Sequence, residues 1–274
     1  ERNPMLTTTY GTGELILHAI EHGYREFIIG IGGSATNDAG LGMLQALGFR
    51  FYDQDGEILG KGGQILDQIV AIDFSSVHPA LKDARFTIAC DVRNPFSGPE
   101  GAAYVFARQK GADDAMIEKL NAGMKRFSRL IHSTTGREIT EVAGAGAAGG
   151  LGGAFLAFLN AELKPGIELL LRTLKFDEKI KDADLIITGE GRVDRQSVMG
   201  KVPFGILEEA NKQGIPVIVV AGSIADTEVL NKAGFRGIFS IVPSPMSLEV
   251  AMKPETAKNN ISRTVAQIIS LATL

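Results

Sequence analysis

EFIIGIGGSATNDAGLGMLQALG, Glu26–Gly48, sets the architecture of the first half of the chain. The run Glu26–Ile31 is short, apolar and β-branched, as in a parallel strand covered on both faces. A glycine turn follows, then Ser34, Thr36, Asn37 and Asp38, then an apolar helix ending at Gly48. A strand, a glycine turn and a helix in that order form the opening of a βα unit. The polar residues either cap the helix or hold a ligand. Backbone N–H groups at a helix start point outward and favour negative charge. Ser34 and Thr36 add hydroxyls and Asn37 an amide. Asp38 would repel a bare anion, but suits a site that also holds Mg²⁺ or accepts a proton.

Gly30–Ala35 also matches G-x-G-x-x-G/A, with Asp53 the required distance downstream. A dinucleotide fold would place Asp53 at the end of a parallel strand. Here it stands two residues before Asp55-Gly56, a hairpin signal within FRFYDQDGEIL. That conflict weakens the match.

Outward from this stretch, GELILHAIEHGY reads as a helix with Leu15, Ala19 and Ile20 on one face and Gly23 as its stop. Thr9 or Thr12 is its candidate cap. RFTIACDV is a further strand, DDAMIEKLNAGMKRFSRLIHSTTG an amphipathic helix, and GAGAAGGLGGAFLAFLNAEL a glycine–alanine turn opening a buried helix. The last hundred residues alternate regularly. DLIITGEG, IPVIVVAGS and FRGIFSIVPS are strands, KVPFGILEEANKQG and DTEVLNKAG the helices between them, and a helix near 253–271 closes the chain. Strands alternating with helices imply a parallel sheet. The fold class is therefore α/β, with one domain over 1–176 and a regular βα portion over 177–274.

The totals narrow the function. The 274 residues are 45% hydrophobic and 22% charged, with net charge −4, ordinary for a globular protein that can bury a large core. No basic block points to nucleic acid, and no apolar run has membrane-helix length. One cysteine, Cys90, cannot form an internal disulfide, which fits a cytoplasmic setting. The four histidines lack metal-ligand spacing, and Ser34 lies in no nucleophile elbow.

Further polar clusters follow other strands. CDVRNPFSGPEGAAYVFARQKGA places Asp91, Asn94, Ser97, Gln109 and Lys110 after a strand, with Pro95 and Pro99 fixing the loop. Asp91 is a candidate for substrate or metal, or simply a turn residue. Gly144–Gly149 is a second G-x-G-x-x-G, and Gly146 there either contacts ligand or lets a helix press onto the sheet. ITGEGRVDRQSVMGK, Ile187–Lys201, offers Thr188, Gly189, Glu190, Arg192, Asp194 and Lys201 where open α/β sheets bind ligands. Arg195 and Val202 break the phosphate-loop pattern around Gly200-Lys201.

Together, NPMLTTTYGTGELI, GIGGSATNDAGLGMLQALG, CDVRNPFSGPEGAAYVFARQKGA, GAGAAGGLGGA, DLIITGEGRVDRQSVMGKVPFGI and PMSLEVAM resemble the bacterial glycerate kinase family over essentially the whole chain. The resemblance implies two α/β domains, one Rossmann-like and built from both chain ends, the other inserted. It implies ATP and glycerate as ligands in a cleft between them. Family members begin with a further segment, including Asp-Ser-Phe-Lys and Gly-Asp-Gly-Gly-Glu-Gly stretches, that this chain lacks. The chain is therefore expected to start partway through a longer protein.

The expected reaction is transfer of a phosphoryl group from ATP to a glycerate hydroxyl, with Mg²⁺. The loop Gly32–Asp38, with Gly32, Gly33, Ser34, Thr36 and Asn37, is expected to bind phosphate or substrate. Asp91, Asn94, Gly146, Thr188, Gly189, Glu190 and Arg192 are the other expected binding residues. Lys201 and Arg192 would neutralise charge. Asp38, Asp194 and Lys201 are the catalytic candidates, with Asp38 or Asp194 as base or Mg²⁺ ligand. The competing readings are a nicotinamide-dependent dehydrogenase and a non-catalytic small-acid sensor. Glycerate is the expected partner, without nucleic acid or membrane, and self-association into a homo-oligomer is open.

Overall fold

The computed structural model describes residues 2–198 and 200–272. Met199, within the second polar stretch, lies outside them. The chain divides into two compact units, Glu1–Gly166 and Ile167–Leu274. The sequence placed the change near Phe176. Ile167 instead belongs with the second unit, where it occupies the space that a side chain on Gly205 would need.

The first unit is built on strands β1 (Glu26–Gly30), β4 (Arg85–Ala89) and β5 (Glu162–Lys164), parallel in the order β1-β4-β5. Phe27 is in register with Phe86, and Gly30 with Ala89. The strands β2 (Arg50–Tyr52) and β3 (Ala71–Asp73) form a separate antiparallel pair. The Asp55-Gly56 hairpin is real but short, closed by one antiparallel bridge between Tyr52 and Ile58. Asp53 is consumed by that turn, accepting from the N–H of Asp55 at 3.0 Å and of Glu57 at 2.9 Å. It therefore does not serve the β1 sheet as a dinucleotide fold requires.

Helices α1 (Tyr10–Glu21), α2 (Leu41–Ala46), α3 (Ala102–Phe106), α4 (Asp114–Thr135) and α5 (Ala147–Phe158) complete this unit. α4 is amphipathic. Asp113 caps it by accepting from Met116 N–H at 2.8 Å, and Gly136 ends it in a left-handed conformation. α5 is apolar on all sides and buried, as such a helix must be. Phe51, Phe96, Phe127 and Phe155 form the fully buried aromatic part of the core. In α1 the buried residues are Gly13, Ile16 and Ile20, whereas Leu15 points outward at 74% exposure. The sequence had placed Leu15 on the inner face.

The second unit carries the parallel sheet β6 (Ile186–Val193), β7 (Val217–Ile224) and β8 (Gly237–Ser240), in that order. Its helices are α6 (Gly166–Thr173), α7 (Phe176–Lys179), α8 (Val202–Lys212), α9 (Thr227–Ala233), α10 (Leu248–Ala251) and α11 (Pro254–Ala272). Val217, Val219 and Ala221 on one face of β7 join Leu207 and Ala210 of α8 and Leu230 of α9. Ile218 and Val220, on the opposite face, meet Ile268 of α11. This two-sided burial is why β7 reads as a continuous apolar run. Among the described residues, no helix is long and apolar enough to cross a membrane.

Candidate functional site

Parallel strands end in loops at one edge of their sheet, and ligands of open α/β folds bind there. In the first unit, residues just beyond β1 and β4 enclose a cleft of about 240 Å³. Ile31, Gly32, Gly33 and Ser34 come from the β1 turn. Ala89, Cys90, Asp91 and Val92 follow β4, and Gln109 and Lys110 follow α3.

Lys110 is the charge of this cleft. Its side chain is buried, with only 5% of the residue exposed. The ammonium donates to the Ser34 hydroxyl at 2.9 Å and to the Thr36 carbonyl at 2.8 Å. Both acceptors are neutral. Burial pulls its pKa down to about 8, against a smaller opposing effect from Asp38. An ammonium has three N–H bonds, so one remains without a protein acceptor among the described residues. Thr36 thus contributes its carbonyl to Lys110. Lys110 was visible in the sequence as a polar residue after a strand, but nothing there marked it as buried or paired.

Gly32 and Gly33 are exposed, and among the described residues their N–H groups reach no protein acceptor. Asp91 lines the same cleft, and its Oδ1 accepts from Gly166 N–H at 2.8 Å. Cys90 is half-buried and donates to the Val92 carbonyl; burial holds its thiol above the usual range.

Four expected site residues of this unit are placed elsewhere. Asp38 is wholly buried, and both of its oxygens are used. Oδ2 accepts from Thr9 N–H at 2.8 Å, Thr9 hydroxyl at 2.9 Å and Gly42 N–H at 3.1 Å, and Oδ1 from Gly40 N–H at 3.1 Å. Burial pushes its pKa up despite these donors. This corrects the reading of Asp38 as catalytic base or Mg²⁺ ligand: its carboxylate is fully buried, accepts four hydrogen bonds and does not line the cleft. Asn37 is equally buried, and its amide donates to the Met124 sulfur at 3.4 Å, so it is a core residue. Asn94 ties its own loop, donating to the Glu100 carbonyl at 2.9 Å. Gly146 donates to the Asn94 carbonyl at 3.0 Å, and a side chain there would strike the Pro95 carbonyl. Its glycine serves backbone packing.

In the second unit the polar stretch begins inside β6. Thr188, Gly189, Glu190 and Arg192 are strand residues, in register with Val219, Val220, Ala221 and Ser223 of β7. Thr188, Gly189 and Glu190 line a groove of about 770 Å³ whose other walls are mostly apolar, among them Val220, Ile241, Leu248 and Met252. Arg192 Nε pairs with Asp194 Oδ2 at 3.1 Å, and Asp194 N–H donates to the Ser197 hydroxyl. Lys201 is exposed at the start of α8. The expected residues therefore form two groups, one on each sheet. Among the described residues, no cluster of three or more His, Cys, Asp or Glu side chains could hold a metal on its own.

Fold and site define an α/β protein with a cleft at the ends of strands in one parallel sheet and a groove along the other. The chain belongs to the Glycerate kinase family, whose sequence profile matches residues 1–273. It is 46% identical to a glycerate kinase of Halalkalibacterium halodurans over 96% of this chain and 70% of that one. It is also 46% identical to the glycerate 2-kinase of Escherichia coli K12, over 97% of this chain and 71% of that one. A crystal structure from Salmonella typhimurium LT2, assigned provisionally as glycerate kinase 2, is similar with a TM-score of 0.82 at 42% identity. It is matched by 100% of this chain, over 72% of its own length.

Proposed function

We propose that the chain catalyses ATP-dependent phosphorylation of a glycerate hydroxyl. The observation that carries this reading is a buried ammonium, a hydroxyl and two unpaired amides converging at a strand-end cleft, in a chain of the Glycerate kinase family. The substrate hydroxyl oxygen attacks the γ-phosphorus, the bond to the bridging oxygen of ADP breaks, and the hydroxyl proton passes to a carboxylate or to water. The E. coli relative's name favours the 2-hydroxyl and 2-phosphoglycerate.

Catalysis of this kind is largely positioning and charge stabilisation. Arg192, in β6, and Lys201, at the start of α8, are exposed cations of the second unit, whose β6 groove has room for a nucleotide. Mg²⁺ commonly uses one or two carboxylates plus substrate phosphates rather than a dedicated protein cage. Glu190 and Asp194 are the carboxylates that would hold it in this unit. When bound it neutralises charge on the transferring phosphate. A cytoplasmic setting supplies the ATP. The dehydrogenase and sensor readings gain no support from these relatives.

The test is ADP release from MgATP with and without D-glycerate, on this chain and on any longer product of the same reading frame. Glycerate-dependent ADP with stoichiometric phosphoglycerate is expected. Its absence from both folded proteins overturns the reading.

A further inference from the structure

We propose that the β1/β4 cleft is the seat of the hydroxy acid rather than of the nucleotide, with Lys110 and Ser34 as the residues that select its carboxylate. The inference rests on the kinase reading and adds the ligand's identity and orientation at this cleft.

The first argument is size. Pockets for drug-sized ligands run to roughly 300–1,000 Å³. The cleft of about 240 Å³ falls below that range and the β6 groove of about 770 Å³ within it. A three-carbon acid fits the smaller space, and a nucleoside triphosphate does not.

The second is the pattern of unused hydrogen-bonding capacity. Lys110 has one N–H left after Ser34 and Thr36. Ser34 accepts from Lys110, so its own O–H is free to donate. The N–H groups of Gly32 and Gly33 lack protein acceptors. All these groups are donors, which suits a planar carboxylate. The cleft's one carboxylate, Asp91, is an acceptor, which suits an alcohol. Gly166 holds one of its oxygens and leaves the other for a substrate hydroxyl. A hydroxy acid presents both complements within a few ångströms.

The third is Gly32 itself. Its backbone is not left-handed, and a Cβ there would meet no protein atom within 4 Å. The space beside its backbone is therefore open to close approach by a ligand. Burying an ammonium among neutral partners is also costly to the fold, and a bound carboxylate would compensate that charge.

The experiment compares the wild type with Lys110→Met, Ser34→Ala and Gly32→Ala. Steady-state kinetics are read separately for D-glycerate and ATP. Thermal shifts are read without ATP for D-glycerate, D-lactate and glycerol. Loss of a hydrogen bond to a charged group predicts a rise in glycerate KM of about 10- to 150-fold in Lys110→Met. ATP KM stays within about two-fold. D-glycerate and D-lactate should stabilise the wild type, glycerol should not, and Lys110→Met should lose the response. An unchanged glycerate KM, or a rise confined to ATP, overturns the proposal. If Lys110→Met does not fold, Gly32→Ala, which meets no protein atom, carries the same test. Failure of the kinase reading appears separately, as a wild type that binds D-glycerate in the thermal assay yet releases no ADP.

Discussion

Thr9 donates both its N–H and its hydroxyl to Oδ2 of Asp38, at 2.8 and 2.9 Å, inside a fully buried joint. The Thr9 hydroxyl in turn accepts from Met43 N–H at 2.9 Å. Thr9 precedes α1, but its side chain serves the first turn of α2, as Asp38 does through Gly42. Two orphan helix donors are thus satisfied by residues 29 positions apart. Asp38→Asn places an amide among four donors. It should destabilise the fold by about 2–4 kcal/mol, read as a lower urea midpoint. A stable Asp38→Asn with abolished turnover would contradict this structural role.

Lys110 makes stability depend on alkaline pH. Its folded pKa of about 8 lies below the ordinary 10.5, so between these values the unfolded chain holds a proton that the folded one has released. Stability therefore rises with pH across that window, by about 3 kcal/mol for this group. Chemical denaturation at pH 7.5 and 10.5 should show the increment in wild type and not in Lys110→Met.

The same titration acts on substrate capture. The carboxylate needs charged Lys110, so glycerate KM should rise about tenfold per pH unit above pH 8. Asp38 opposes deprotonation through its charge, and Asp91 and Cys90 are the other titratable groups of the cleft. A glycerate KM flat from pH 7 to 10 would separate Lys110 from the substrate.

Lys201 is exposed, so Lys201→Ala should move stability by less than about 0.5 kcal/mol. Loss of a cation that stabilises the transferring phosphate should lower kcat by about 100-fold. Near-normal turnover would remove Lys201 from the mechanism.

Gly149 has φ +70, and a side chain there would press on the backbone of Thr36 and Asn37. Gly149→Ala should cost more than about 2 kcal/mol and lower the thermal midpoint by several degrees. Its effect on turnover should follow the loss of folded protein.

Much of the fold could be read from periodicity and punctuation. The Glu26–Ile31 strand, the α4 amphipathic pattern and the three C-terminal strands each carry a local signal. The reading failed where tertiary contacts decide. Leu15 is apolar yet outward, because Gly13 and Ile16 line the face that meets α2. For the site, strand-end polarity marked Gly32, Ser34, Asp91 and Thr188. It could not distinguish Asp38 and Asn37, which are sealed in the core, from their exposed neighbours. Nor could it show Lys110 reaching back 76 residues to Ser34. Such pairings depend on packing that no short window contains.

The strand order β1-β4-β5 also sets a timetable. β1 ends at Gly30, β4 begins at Arg85 and β5 at Glu162. At a synthesis rate of roughly 5–20 residues per second, β1 waits about 3–11 s for its partner to be translated and about 7–26 s for the sheet's third strand. Loop closure over such separations is also slow in refolding. During that interval the nascent chain displays Phe27 and Ile29 without a partner strand. The cleft, which needs the ends of both β1 and β4, is therefore assembled only after β4 has been made.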